Sequence, residues 1–189
     1  MPSLDEYRDF ISDVNESCAR LEGSIVERCP TGCSDCCGPQ IVHPVEAYAI
    51  LKSAGPLRAW RKGGDQPAER CTFLSAECTC RIYPARPFLC RARGVPTLHR
   101  TAEGGWIRDC CPKKRFLSGH EPDSRAKAFG LHLEQWKARL NRVNDAFCQT
   151  NAIPNRPIRL SDLFRAPWIY FALFEYVRPS SQEPGLTMA

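Results

Sequence analysis

The chain has 189 residues and a formal net charge of +5, and 12 of its residues are cysteine, about 6%. That lies below the roughly 8–10% of a small secreted disulfide scaffold, and a chain of this length buries an ordinary core without cysteine staples. One small domain is expected, and the cysteines need another reason.

Residues 1–27 hold seven acids against Arg8 and Arg20, a net of −5, and lack the basic start and apolar run of a secretory signal. The longest apolar run, Pro167 to Phe174, is far short of the ~18 residues of a membrane span. A cytoplasmic location without a membrane partner is expected. Thiols stay reduced there, and cysteine clusters mean metal or catalysis.

In chain order, Leu4, Tyr7, Ile11, Val14, Cys18, Leu21 and Ile25 form a heptad-like seam, which predicts a first helix with Ser3 as N-cap. Pro44 to Ser53 predicts a short helix, with Pro44 in its first turn. Gly55 to Pro67 reads as a loop. Thr97–Thr101 and Trp106–Asp109 flank Glu103-Gly104-Gly105 as a hairpin. Ala126, Phe129, Leu133, Trp136, Leu140, Val143 and Phe147 repeat the first seam, so a second helix is expected to pack on the first. Asn151 to Pro157 is a loop, Ser161-Asp162 caps a turn, and Pro167 to Val177 predicts a buried aromatic helix. The expected fold is mainly α, a single domain over 1–189 with an irregular, loop-rich metal-binding core. Residues 1–28 hold the N-terminal helix, 29–111 the cysteine core, 120–178 the C-terminal helical part and 179–189 a frayed tail.

Cys18 and Cys148 fall on the helical stripes and are expected to act as small buried hydrophobes. The other ten cysteines lie between the helices. Cys33 and Cys36 have the C-x2-C spacing with which one tight turn aims two sulfurs at one metal. Neighbours Cys36 and Cys37 diverge, so either one ligates while the other packs, or the two reach adjacent metals. Cys71, Cys78, Cys80 and Cys90 form a second knot, closed by Cys110 and Cys111. Ten thiols suffice for two four-thiolate sites with two left over, or for one polynuclear cluster.

Residues 81–115 carry nine Lys/Arg against Glu103 and Asp109, a net of +7. A four-thiolate zinc or a [4Fe–4S] centre carries a charge of about −2, costly to bury alone. Arg81, Arg86, Arg91 and Arg93 are threaded among the thiols to offset it, a reading preferred over a solvated face. Nucleic acid is not an expected partner, since no RNP-like, helix-turn-helix or C2H2 pattern accompanies the charge.

The segment C-x-I-Y-x-x-R-P-x-x-C-R stands intact from Cys80 to Arg91, after Cys71 and the Cys33–Cys37 knot. With these motifs the chain resembles the zinc- or iron-chelating cysteine-cluster family named for CxxCxxCC. Three residues, not two, separate Cys29 from Cys33, and Cys78 and Cys111 are extra to that pattern. The resemblance implies metal binding by Cys29, Cys33, Cys36, Cys37, Cys71, Cys80, Cys90 and Cys110, with zinc or an iron–sulfur cluster as cofactor. Arg81, Tyr83, Arg86 and Arg91 are cofactor-binding candidates. Relatives labelled iron–sulfur oxidoreductases, and a similar domain in flagellin lysine methylases, imply possible chemistry.

Against these stand blander readings. Glu46 is expected on a helix surface rather than as a base, and Tyr83 in the core. His43 suits a helix start, His99 the hairpin, His120 a loop and His132 the second stripe. No spacing among them supports a two-His, one-carboxylate iron site. P-loop, G-x-G-x-x-G, G-x-S-x-G and H-E-x-x-H motifs are absent. Three classes remain. One is an iron–sulfur enzyme, with a cluster of the 4Fe–4S type, acting on a small molecule or a protein. The second is a zinc-thiolate module without catalysis. The third is an interaction protein using Trp168 to Tyr176, with metal as a staple. The substrate or partner is not named by the sequence.

Overall fold

The computed structural model describes residues 3–22, 32–53, 69–111 and 130–175. Helix α1 (Asp5–Leu21) begins where Asp5 and Glu6 meet the positive end of the helix dipole. Ser3 accepts the Asp5 N–H at 3.1 Å, but Leu4 occupies the N-cap position. The buried face of α1 is Leu4, Tyr7, Phe10 and Val14, with Ile11, Cys18 and Leu21 at its margin. The face thus includes Phe10, outside the expected seam. Its ring meets Phe88 at 5.6 Å and Trp136 at 5.9 Å, both edge-on, a geometry that aromatic quadrupoles favour. Ile25 and Cys29 lie outside the described residues.

Strand β1 (Ile41–Val42) leads into α2 (Pro44–Ser53), with the boundaries the proline predicted. A single 3₁₀ turn, Tyr83–Ala85, precedes α3 (Phe88–Ala92), which Pro87 introduces. The hairpin forms from β2 (Thr97–Arg100) and β3 (Trp106–Asp109), with Thr97 opposite Asp109. Strand β4 (Leu131–His132) then pairs with β2 in parallel. Gly130 permits this approach, because a Cβ there would stand 2.9 Å from Leu98 Cγ and 3.0 Å from Pro96 O.

Helix α4 (Leu133–Thr150) therefore starts at Leu133, and the expected second seam is shorter than the sequence suggests. Its first members, Ala126 and Phe129, lie outside the described residues. Strand β5 (Ile158–Arg159) pairs with β1, and α5 (Leu160–Arg165) and α6 (Pro167–Glu175) follow. The loop Gly55–Pro67, His120 and the tail 179–189 also fall outside the described residues. Roughly half of the described residues are helical, and two small sheets join long loops, so the fold is less purely helical than expected. The sheet strands are two to four residues long, too short for their periodicity to stand out in the sequence. Among the described residues no helix is long and apolar enough to cross a membrane.

The core joins α1, α2, α4 and α6. Tyr48 on α2 meets Phe147 at 5.6 Å and Phe174 at 5.1 Å. Helix α6 is buried on one side only, a correction to the expected buried helix: Phe174 is fully buried while Trp168 is 50% exposed and Ile169 58%. Phe174→Ala should cost about 3–5 kcal/mol in urea unfolding, and Trp168→Ala less than about 1 kcal/mol. Equal costs would show that the exposed end of α6 packs elsewhere.

Candidate metal centre

The site begins with the start of α2. His43 occupies its N-cap and Glu46 its third position, the spacing of a capping box. Glu46 Oε2 accepts the His43 N–H at 3.0 Å, and Asn144 Oδ1 from α4 accepts the Val45 N–H at 3.2 Å. The other carboxylate oxygen, Oε1, accepts the N–H of Phe88 at 2.9 Å, at the start of α3. One carboxylate thus satisfies orphan donors at two helix starts. Glu46 is 3% exposed, so it is no surface residue, as the sequence reading had it. Burial pushes its carboxyl above the usual range, and the two N–H donors pull it partly back.

This clamp fixes α3, which carries Cys90. The remaining thiols are set by backbone bonds. Cys37 N–H closes a turn on Ser34 O at 2.9 Å, and Cys71 N–H donates to Cys37 O at 2.9 Å. Leu74 bridges to Cys80, and Arg81 N–H donates to Phe73 O at 2.9 Å. The N–H groups of Phe73 and Ile82 point at the sulfurs of Cys71 and Cys80, each two residues on from its cysteine, and favour the thiolates.

The result is a cavity of about 620 Å³ whose wall carries Cys37, Cys71, Cys80 and Cys90, and also Cys33, Cys36 and Cys78. Cys18 lines it too, and its Sγ lies 3.8 Å from Arg91 O, so its role is not packing alone. Cys148 is buried in the core. Within the first four, every pair interacts electrostatically. Burial, then the neighbouring thiols Cys36, Cys71 and Cys80, raise Cys37 to about 11. Burial and the other three of the quartet, with Glu46, raise Cys90 to about 12. Without a cation these thiols are neutral at pH 7.

Cys110 and Cys111 are on the wall of a second cavity of about 460 Å³ instead. Cys36 lines both cavities, and Cys37 only the first.

The cationic groups divide by role. Arg86, Arg91 and Arg93 line the thiol cavity. Arg91 also donates to Asn15 Oδ1, Pro84 O and Arg86 O, and so stitches the 3₁₀ turn to α1. The Arg86 guanidinium stacks 3.7 Å above the Tyr83 ring. Tyr83 is 60% exposed at the cavity wall, not in the core. Arg81 is not on the wall; its Nη1 is buried with no hydrogen-bond partner among the described residues. Cys29 lies outside the described residues, and among those described no three His, Cys, Asp or Glu side chains already stand at single-ion geometry. A thiol-rich donor set with N–H support and nearby arginines fits a metal that favours thiolate.

Residues 28–114 match the model of the CxxCxxCC family, described as “Putative zinc- or iron-chelating domain”. Residues 28–114 thus carry a CxxCxxCC domain. The match runs from just before Cys29 to just beyond Cys111, so it takes in both cavities' cysteines. No curated protein and no solved structure matches the chain. A zinc- or iron-chelating role of the CxxCxxCC domain is thus supported by the family and by the thiol-lined cavity together.

The structural role of Glu46 escaped the sequence reading, although its spacing from His43 is a capping-box signal. Glu46→Ala removes the acceptor for two donors and should destabilise the protein by about 2–4 kcal/mol. The carboxyl is raised in the folded state. Its contribution to stability is therefore full below its ordinary value of 4.5 and is lost as pH rises through the folded value. Denaturation midpoints of Glu46→Gln should lack that component of the pH dependence.

The thiols should also differ in reactivity. Hydrogen bonds from Ser34 and then Arg70, whose Nη2 is 3.4 Å from Sγ, hold Cys78 below the usual thiol range. Thiolate is the nucleophile, so brief iodoacetamide treatment of the metal-free chain at pH 7 should label Cys78 before Cys37 and Cys90. Mass mapping that found Cys90 labelled first would contradict the burial of the quartet.

Proposed function

We propose that Cys37, Cys71, Cys80 and Cys90 hold an iron–sulfur cluster of the [4Fe–4S] type. The observation behind this reading is that these four thiols line one cavity of about 620 Å³, with no three of them around a single point. A tetrahedral zinc at about 2.3 Å from each sulfur brings sulfurs to roughly 3.8 Å of one another. Backbone bonds between Cys71 and Cys37, and between the Phe73–Leu74 and Cys80–Arg81 segments, resist that collapse. A cluster with inorganic sulfide inside its cysteines suits the wider ring.

When bound, such a cluster would supply one-electron chemistry. The chain's own groups do the rest. The four thiols give up protons on loading, so metal uptake weakens as pH falls. Arg86, Arg91 and Arg93 offset the added negative charge. Tyr83 and Arg86, stacked at the exposed wall, offer a polar and planar surface to a small molecule or a protein side chain. On this basis the chain is read as an iron–sulfur oxidoreductase or modifying enzyme.

Anaerobic isolation of the full chain decides between metals. A brown protein with about four iron and four acid-labile sulfide per chain is expected, with most of both lost in Cys71→Ser and Cys90→Ser. A colourless protein in which those two variants lose zinc would establish the zinc-thiolate alternative in its place.

A further inference from the structure

A third cavity, of about 420 Å³, lies between α1, the last turn of α2 and the 3₁₀ turn. Its wall carries Arg8, Lys52 and Arg91, and no acid. We propose that it binds a small organic oxyanion, a phosphate or carboxylate on a compact apolar body, held by these three cations and the Tyr7 hydroxyl. The proposal is independent of the metal reading, because no cysteine stands on this wall.

One side of the cavity comes from α1. Leu4, Arg8 and Ser12, and beside them Tyr7, Ile11 and Asn15, form two rows at the four-residue spacing of neighbours on a helix. Tyr7 is the residue that points to a ligand. It is only 5% exposed, yet its hydroxyl has no hydrogen-bond partner among the described residues. The hydroxyl is not sealed from solvent, and the residue lines this cavity. A nearly buried donor without a partner is rare in folded chains, and a bound acceptor would supply one. Arg91 is held ready for an anion. Its Nε, Nη1 and Nη2 donate to Arg86 O, Asn15 Oδ1 and Pro84 O. These bonds fix the guanidinium and leave about two of its five N–H groups for a ligand.

The charges around the cavity favour an anion. Arg8 pairs with Asp5 at 3.0 Å, but both side chains are exposed, so water screens that pair and a ligand can share the arginine. Lys52, in the last turn of α2, offsets the negative end of that helix. Buried Glu46 acts electrostatically on Tyr7 and Arg91 and opposes an anion. Both its oxygens are already engaged by the N–H groups of His43 and Phe88, and three cations outweigh it. Ile11, Ala49 and Pro84 give the wall an apolar share, which favours a carbon body over bare phosphate. A concave site of this volume takes a small molecule. Arg91 and Asn15 also line the thiol cavity, so the oxyanion would lie beside the quartet with one arginine shared between them.

Calorimetric titration of the full chain with phenyl phosphate, benzoate and inorganic phosphate tests the site, with benzyl alcohol as the neutral control. Saturable binding of phenyl phosphate or benzoate is expected, about tenfold or more tighter than that of inorganic phosphate and weaker at higher salt. Benzyl alcohol should not bind. Lys52→Gln should weaken binding about two- to fivefold. Tyr7→Phe should weaken it about tenfold or more. The unfolding midpoint of ligand-free Tyr7→Phe should not fall, because the hydroxyl makes no bond there, whereas a structural hydroxyl would cost stability. Metal content is measured on the same samples and should match the wild type in both variants. Loss of metal together with binding would show that Tyr7 supports the fold near Cys90, and would overturn the proposal. So would no saturable binding of either organic probe up to about 10 mM. Equal affinity for inorganic phosphate or benzyl alcohol would overturn it too, as would wild-type affinity in both variants. A chain without iron that still binds the organic probes would support this site and overturn the iron–sulfur reading alone.

Discussion

A buried carboxylate holds the cysteine-bearing segments to the helices. Glu46 Oε2 and Oε1 accept the N–H groups of His43 and Phe88 at the starts of two helices, and Phe88 lies 42 residues beyond Glu46. Taking a carboxylate out of water is expensive, and two short backbone bonds offset that cost. Phe88, fixed by this bond, packs its ring against both Phe10 and Trp136. Cys90 then sits less than one turn further along α3. The position of a candidate ligand therefore depends on α1, α2 and α4 together, although its neighbours in sequence are loop.

The same economy governs the positive block. Arg91 carries charge at the cavity wall, and also binds two carbonyls of the 3₁₀ segment and Asn15 of α1. Its role is thus electrostatic and architectural at once, and loss of either part would disturb the quartet. In the thiols, burial and mutual repulsion favour protonation, while the N–H groups of Phe73 and Ile82 favour charge at Cys71 and Cys80. The balance leaves these thiols protonated, so a metal binding there would have to displace their protons.

Local order was legible where a single element carries its own signal. Pro44 marks the start of α2 because its ring fixes φ and it lacks a donor. The Glu103-Gly104-Gly105 turn, with Gly104 at φ +81°, marks the hairpin. Phe10 was missed because a strict heptad follows a period of 3.5, whereas this straight helix turns every 3.6 residues and is gripped by aromatic rings from two other elements. The strands β1, β4 and β5, each two residues long, exist only as pairings with distant segments.

The sequence alone determined the chemistry available: thiols in two knots, arginines threaded among them, and motifs sufficient to find the CxxCxxCC domain over residues 28–114. Spacing led to the expectation that Cys36 and Cys37 diverge, whereas in the structure their side chains hydrogen-bond to each other. Only the tertiary structure placed Cys37 with Cys71, Cys80 and Cys90, set Cys36 on the wall it shares with Cys110 and Cys111, and buried Glu46 between two helix starts. Those outcomes depend on backbone bonds and ring contacts between segments far apart in the chain, which no local pattern encodes.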